Sequence, residues 1–398
     1  MRNPGNLLRS VFILIFISVS VSGAAPAWAS DSPQLDQLLN ILVRKRILTA
    51  QEAASVRSAA AEPQTPLPAA ADSSSTAPAE ALAEARDRLT APPPPQDSSI
   101  APRENPLRLP FRISGYGQGQ WTSQPGAYST FRLRRARLRV IGDIGKMGFY
   151  WLEFDAVNSP SLLDAYATLG PKPYLKLTAG QFRIPFSQES LWSSANLPMV
   201  ERSQVVNELV PGRDNGSNGR DIGADLAGTH NFTSRTGVDY AFGVFNGDGI
   251  NTTADNNRKN IVARLAARPA PGLAFTGDYY HGNTGPGETS RGRGGAEYSY
   301  QWRPLMVMGE FIRGNDGTLH RHGWYALERW QFSPRWQGLF RVDSYDANTA
   351  VKNDTTSIYL GGLNWLPEKN LRFQLNVGAR EQKAVWKPDL LSQMQFSF

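Results

Sequence analysis

The chain has 398 residues, no cysteine and a formal net charge of +7, with 40% hydrophobic and 10% aromatic side chains. The missing thiols exclude disulfide scaffolds and cysteine-ligated metal centres. The apolar run Val11–Val21 is too short to span a bilayer comfortably as a helix, and nothing later approaches the roughly 18 apolar residues of a membrane helix, so a membrane protein of this sequence has to be a barrel.

In chain order, the first element is a processing signal. Arg2 and Arg9 precede the apolar run, and Ala27-Trp28-Ala29 follows it, the pattern of a secretory signal peptide cleaved after Ala29. Residues 30–60 predict a helical hairpin or coiled-coil stub. Leu35, Leu38, Leu39 and Leu42 share one helical face, and Thr49 with Glu52 makes a capping box. Residues 61–106 are Ala/Pro-rich, including Pro92–Pro95, and read as a stiff linker that cannot bury enough apolar surface to order itself.

From residue 107 to 398 the texture changes to segments of about ten residues with period-2 alternation, separated by Gly, Asn, Asp and Pro. Tyr150, Leu152 and Phe154 alternate with Trp151, Glu153 and Asp155, and Leu175, Leu177 and Ala179 with Lys176 and Thr178. Ile261, Ala263 and Leu265 oppose Arg264, while Leu371, Phe373, Leu375 and Val377 oppose Arg372, Gln374 and Asn376. Long strands with a charged polar face predict an all-β transmembrane β-barrel, apolar toward lipid and polar toward the lumen. Sixteen antiparallel strands are expected, beginning near residues 109, 131, 147, 163, 174, 220, 236, 259, 273, 293, 305, 322, 336, 356, 370 and 389. Aromatic residues at segment ends (Tyr279, Tyr280, Tyr298, Tyr300, Trp302, Trp324, Trp330, Trp336, Trp365) predict interfacial girdles.

The connection 184–219 is far longer than the usual loop of about 4–6 residues. Its apolar residues Leu191, Trp192, Leu197, Met199, Val200, Val205 and Val206 predict that it folds inward and packs in the lumen. The terminal alternation Met394, Phe396, Phe398 resembles the strand by which outer-membrane barrels are recognised by their assembly machinery.

The stretch Phe131–Val140, FRLRRARLRV, holds five arginines. Strict alternation would leave either Arg132 and Arg134, or Arg135, Arg137 and Arg139, facing lipid, where an arginine at the midplane costs about 2–4 kcal/mol. One extra residue at Arg134-Arg135, a β-bulge, would shift the phase and turn all five inward. Basic groups alternating with lipid-type side chains make no nucleic-acid groove. Gly115-Tyr116-Gly117-Gln118-Gly119 is not followed by the helix a nucleotide loop needs. His230, His281, His320 and His322 form no metal or catalytic motif beyond a weak His320/His322 pair, and no nucleophile–His arrangement emerges. Neither a cofactor nor an enzymatic activity is expected.

The stretches 131–155, 177–194, 198–216, 220–228 and 240–251 resemble, in order, the phosphate-selective porin O and P family. The resemblance implies a sixteen-stranded outer-membrane porin, usually a homotrimer, passing small phosphate-like anions. It implies a constriction lined by the pair Arg134 and Arg135 and the loop residue Arg202, with Asp164 nearby. Arg137 stands where an aromatic residue is expected in phosphate-specific members. Arg132, Arg139, Lys176 and Arg264 are further lumen candidates by alternation. From residue 103 on, 34 basic against 26 acidic side chains give a net +8, in keeping with an anion path. Internal salt bridges are the competing reading for Arg202 (with Glu201 or Glu208) and for Arg213 and Arg220 (with Asp214 and Asp221). A non-selective diffusion porin, a structural anchor with periplasmic helices and a barrel hydrolase remain the alternative functions.

Overall fold

The computed structural model describes residues 111–123, 128–157, 159–285 and 287–398. The expected signal peptide, helical stub and linker lie outside the described residues. Sixteen strands follow one another: β1 (Phe111–Ser123), β2 (Thr130–Ile144), β3 (Gly148–Asp155), β4 (Ser161–Lys172), β5 (Leu175–Arg183) and β6 (Arg220–Asn231). Next come β7 (Gly237–Phe245), β8 (Asn260–Ala270), β9 (Leu273–Thr284), β10 (Thr289–Trp302) and β11 (Leu305–Asp316). The last are β12 (Leu319–Ser333), β13 (Trp336–Asp346), β14 (Thr356–Glu368), β15 (Leu371–Gln382) and β16 (Val385–Ser397). Each pairs antiparallel with its sequence neighbours, and β1 pairs with β16 to close the barrel. Every start falls close to its sequence expectation, because lipid on one face and water on the other impose a clean two-residue period. No helix among the described residues is long and apolar enough to cross a membrane.

The outer wall carries Leu133, Leu138, Leu177, Phe242, Leu265, Phe275, Phe340 and Phe396, all more than a third exposed. Exposed aromatic residues such as Trp302, Trp330 and Phe332 cluster near the turns at one barrel end. Tyr280 departs from the girdle expectation. It points inward at 1% exposure and accepts a hydrogen bond from Asn260 Nδ2 at 2.6 Å. Closure explains the glycines of β1. A Cβ on Gly115 would lie 2.5 Å from both the Arg137 carbonyl and the Phe398 ring, and one on Gly117 would lie 2.5 Å from the Phe396 ring. Gly115 and Phe398 also exchange both backbone hydrogen bonds, at 2.9 and 3.0 Å. The glycines are a shelf on which the last aromatic side chains lie.

Odd-to-even connections share one end of the barrel and include the long segments 184–219 and 246–259, whereas even-to-odd connections are short turns. Short periplasmic turns and longer external loops are the rule for outer-membrane barrels, so the long connections mark the external end. The 184–219 segment holds two short helices, α1 (Gln188–Leu191) and α2 (Gln204–Leu209). Val205, Val206, Leu209 and Met199 are buried in one cluster with Met306, Met308 and Ile312 of β11, Tyr325 and Leu327 of β12, Leu339 of β13, and Ile358 and Leu360 of β14. These strand positions lie on the inner face, so the segment fills part of the lumen. Its core is held by apolar burial worth about 1.5–3 kcal/mol per large side chain.

Candidate functional site

The arginine run forms one strand with a phase shift. Gln118 of β1 pairs with Arg135 and Gly119 with Leu133, so Arg134 is the extra residue of a bulge. All five guanidinium groups then reach luminal partners. Arg132 Nε donates to Gln120 Oε1 at 2.7 Å and Arg135 Nη1 to Gln118 Oε1 at 2.8 Å. Arg134 makes a bidentate pair with Glu201, Nε to Oε1 at 2.7 Å and Nη2 to Oε2 at 3.2 Å. Arg137 and Arg139 share Glu153 of β3, at 3.1 and 2.7 Å, and Arg137 also reaches Asp155 at 3.0 Å. The outward set Phe131, Leu133 and Leu138 is exposed to the bilayer side.

Exposure grades along the run. The side chains of Arg132 and Arg134 are 47% and 32% exposed, whereas Arg135, Arg137 and Arg139 lie below 10%. Glu201 stands at the junction. Its carboxylate takes Arg134, lies 3.5 Å from Arg132 and 3.8 Å from Arg135, and accepts Gln120 Nε2 at 3.1 Å. Three guanidinium groups thus face one carboxylate. Burial alone would raise the Glu201 carboxyl, but the hydrogen bond from Arg134 and the charges of Arg134 and Arg135 bring it down to about 2.

The luminal segment that carries Glu201 is tied down on every side. Backbone N–H groups at the start of α1 each meet a carboxylate from a different strand: Ser187 to Asp278 of β9 at 3.2 Å, Gln188 to Glu297 of β10 at 3.0 Å, Glu189 to Glu310 of β11 at 2.7 Å. Carboxylates suit this place because the first N–H groups of a helix have no partner of their own. Amide side chains hold the next stretch: Asn364 and Gln374 donate to the Pro198 carbonyl at 3.0 and 2.9 Å, and Asn376 accepts the Val200 N–H at 2.8 Å. Arg372 donates to the carbonyls of Ala195 and Leu197 at 2.6 and 3.2 Å.

The competing salt-bridge reading fails in its details. Arg202 reaches neither Glu201 nor Glu208; it donates to the carbonyls of Glu189 and Trp192 and to Ser194 Oγ, at 3.0, 2.6 and 3.2 Å. Arg213 goes to Ser190 Oγ at 2.7 Å rather than Asp214, which pairs with Arg291 and Arg293. Arg220 forms a bidentate pair with Asp164, at 2.8 and 2.7 Å, while Asp221 accepts the Gly247 and Gly249 N–H groups instead. The structure therefore brings Arg134 and Arg135 together with Glu201, and puts Asp164 with Arg220. Arg264 sits between Asp278 and Glu297, at 2.8 and 2.7 Å, so its charge is matched. Lys176 shares its face with buried Thr178, on the luminal side. Sequence reasoning missed Gln118, Gln120 and Arg183 as partners of the site. The first two were accessible from alternation with the β1 glycines, whereas Arg183, which donates to the Leu191 carbonyl at 2.8 Å, carries no local signal. Among the described residues Arg183, Arg202, Arg213 and Arg372 have no carboxylate in ion-pair range, and no group of acidic or histidine side chains is arranged to hold a metal.

A closed sixteen-strand barrel with a lipid-type wall, a charged lumen and a long loop folded into it defines an outer-membrane porin, a channel for small solutes. Residues 114–284 and 250–394 match the model of the family described as phosphate-selective porin O and P, and the chain belongs to that family. Among solved structures it is similar to an anion-selective porin from Comamonas acidovorans, at 13% identity and a TM-score of 0.57 over 72% of this chain and 99% of that one. It is also similar to OmpF of Salmonella typhi in complex with daunomycin, at 12% identity and a TM-score of 0.55 over 72% and 97%. The outer-membrane channel DcaP of Acinetobacter baumannii matches at 10% identity and 0.51 over 72% and 97%. At these identities the likeness is one of fold. No curated protein matches by sequence.

Proposed function

We propose that the channel prefers anions and that Arg132, Arg134, Arg135 and Glu201 form its selective contact, with phosphate-like oxyanions the favoured permeants. The observation that carries this reading is the convergence of three guanidinium groups on one carboxylate at the exposed end of the run. A planar guanidinium matches two oxygens of a phosphate at once. Partial hydration of Arg132 and Arg134 keeps the contact weak enough for release, which conduction requires. Arg202, with neutral acceptors alone, adds positive field from behind. Arg137, Arg139 and Asp164 act as the frame beneath the contact, since their charges are paired with Glu153, Asp155 and Arg220.

The wider reading is that of an exported homotrimer in the bacterial outer membrane. Its signal peptide ends at Ala29, residues 30–60 lie in the periplasm, and the assembly machinery recognises the strand ending in Phe398. Non-selective diffusion is the second reading, favoured by the full pairing of Arg137 and Arg139. Phosphate titrated against chloride current in planar bilayers separates the two. Selective binding predicts a saturable decrease of chloride current that Arg134→Gln with Arg135→Gln removes. A current insensitive to phosphate in the wild type contradicts it.

A further inference from the structure

The external rim of the barrel carries a second basic cluster, on the outside of the wall. On the outer face of β9–β12, register rows can be read across the strands. One row runs Tyr279, Gly294, Arg313, His322, and the row above it His281, Gly292, Asn315, His320. Arg313, His281 and His320 are exposed, and His322 is half-buried, its ring 6.1 Å from that of Phe311. One step toward the membrane centre the same strands present Phe311 and Trp324, both more than 40% exposed. Arg313 and the three histidines therefore stand at the upper margin of the lipid-facing band, where head groups replace acyl chains.

Arg313 makes no ion pair and no side-chain hydrogen bond among the described residues. Its side chain lies across Gly294, where an added Cβ would meet Arg313 Nε at 3.5 Å. With glycines at 292 and 294, β10 has no side chain between the histidine of β9 and the arginine of β11, which leaves a shallow step in the wall. Asp346, in register with His322 on β13, is the neighbouring acid, and one of its oxygens accepts the Asn348 N–H at 3.0 Å. At a comparable level the wall of β1 and β2 presents Trp121, Phe131 and Leu133. Among the described residues, the outer face of β1 and β2 carries no basic side chain there, unlike that of β9–β12. A lipid-facing guanidinium with no carboxylate partner at this depth attracts the anionic groups of neighbouring lipid.

We propose that Arg313, His322, His320 and His281 form a docking site for the phosphate groups of outer-leaflet lipid, the head seated over the β10 glycines and the chains against Phe311 and Trp324. The site is separate from the lumen and does not depend on the permeant. The test uses the full-length protein in detergent at pH 6. Native mass spectrometry reads retention of bisphosphorylated lipid A against the same lipid without its phosphates. The expected result is preferential retention of the phosphorylated lipid, weakened about fivefold in Arg313→Gln and further in Arg313→Gln with His322→Gln, and restored by Arg313→Lys. Equal retention of the two lipids by the wild type overturns the proposal. So does unchanged retention by the double variant, or displacement of the lipid by millimolar inorganic phosphate, which would make it a free-anion site.

Discussion

Replacing Glu201 by Gln removes the single carboxylate among Arg132, Arg134 and Arg135 while keeping the side-chain volume. The Gln120 amide can still meet the new side-chain carbonyl, so the segment keeps one anchor, and the local charge rises by one unit. An anion seated about 4 Å from that position loses a repulsion of about 1 kcal/mol at the dielectric of water and about 4 kcal/mol at an effective dielectric near 20. Arg132 and Arg134 are one-third to one-half exposed, so the lower figure applies, and salt screens it further. The chloride-to-potassium permeability ratio should rise about fivefold, since about 1.4 kcal/mol corresponds to tenfold. Reversal potentials in a potassium chloride gradient measure that ratio directly. An unchanged or lower ratio in the variant would refute a selective contact at this cluster.

Glu201 also sets a pH expectation. Its carboxyl is held at about 2, so the pair with Arg134 is fully formed above the ordinary carboxylate range and is lost only as pH falls through about 2. Selectivity should be flat from pH 8 to pH 4, and a rise in anion preference between pH 5 and 4 would show an ordinary carboxyl instead. Gly115→Val should impair barrel closure by about 1–3 kcal/mol or more, because its Cβ would meet a backbone carbonyl at 2.5 Å, and refolding yield by heat-modifiable gel mobility reports it. Normal yield would mean that β16 closes by another register. Val206→Asp puts a charge at a position with no exposure in the luminal cluster, at a cost of several kcal/mol. It should release α2 from the wall and raise single-channel conductance, and an unaltered conductance would argue that the segment does not restrict the pore.

The outer wall was legible because lipid enforces one rule on every strand, and the arginine run was legible because it broke that rule. Leu133 and Leu138 can both face lipid only if an extra residue intervenes, so the bulge at Arg134 follows from the cost of lipid-exposed cations. Inner-face packing obeyed no such rule. Leu305-Met306-Val307-Met308 is apolar on both faces, a sign that the lumen beside β11 is filled, yet nothing local says that α2 fills it. Pairings across long separations were equally hidden. Arg220 and Arg202 each stand beside or near carboxylates in sequence, but one reaches back to Asp164 and the other takes carbonyls of its own loop. Tyr280 shows the same limit, since an aromatic residue at a strand end can serve the girdle or the lumen and only strand phase decides.

The most direct test is the sign of the zero-current potential of the purified full-length protein in a tenfold potassium chloride gradient at neutral pH. Anion preference through Arg132, Arg134 and Arg135 predicts a potential toward the chloride equilibrium value, and a potential toward the potassium value would contradict it.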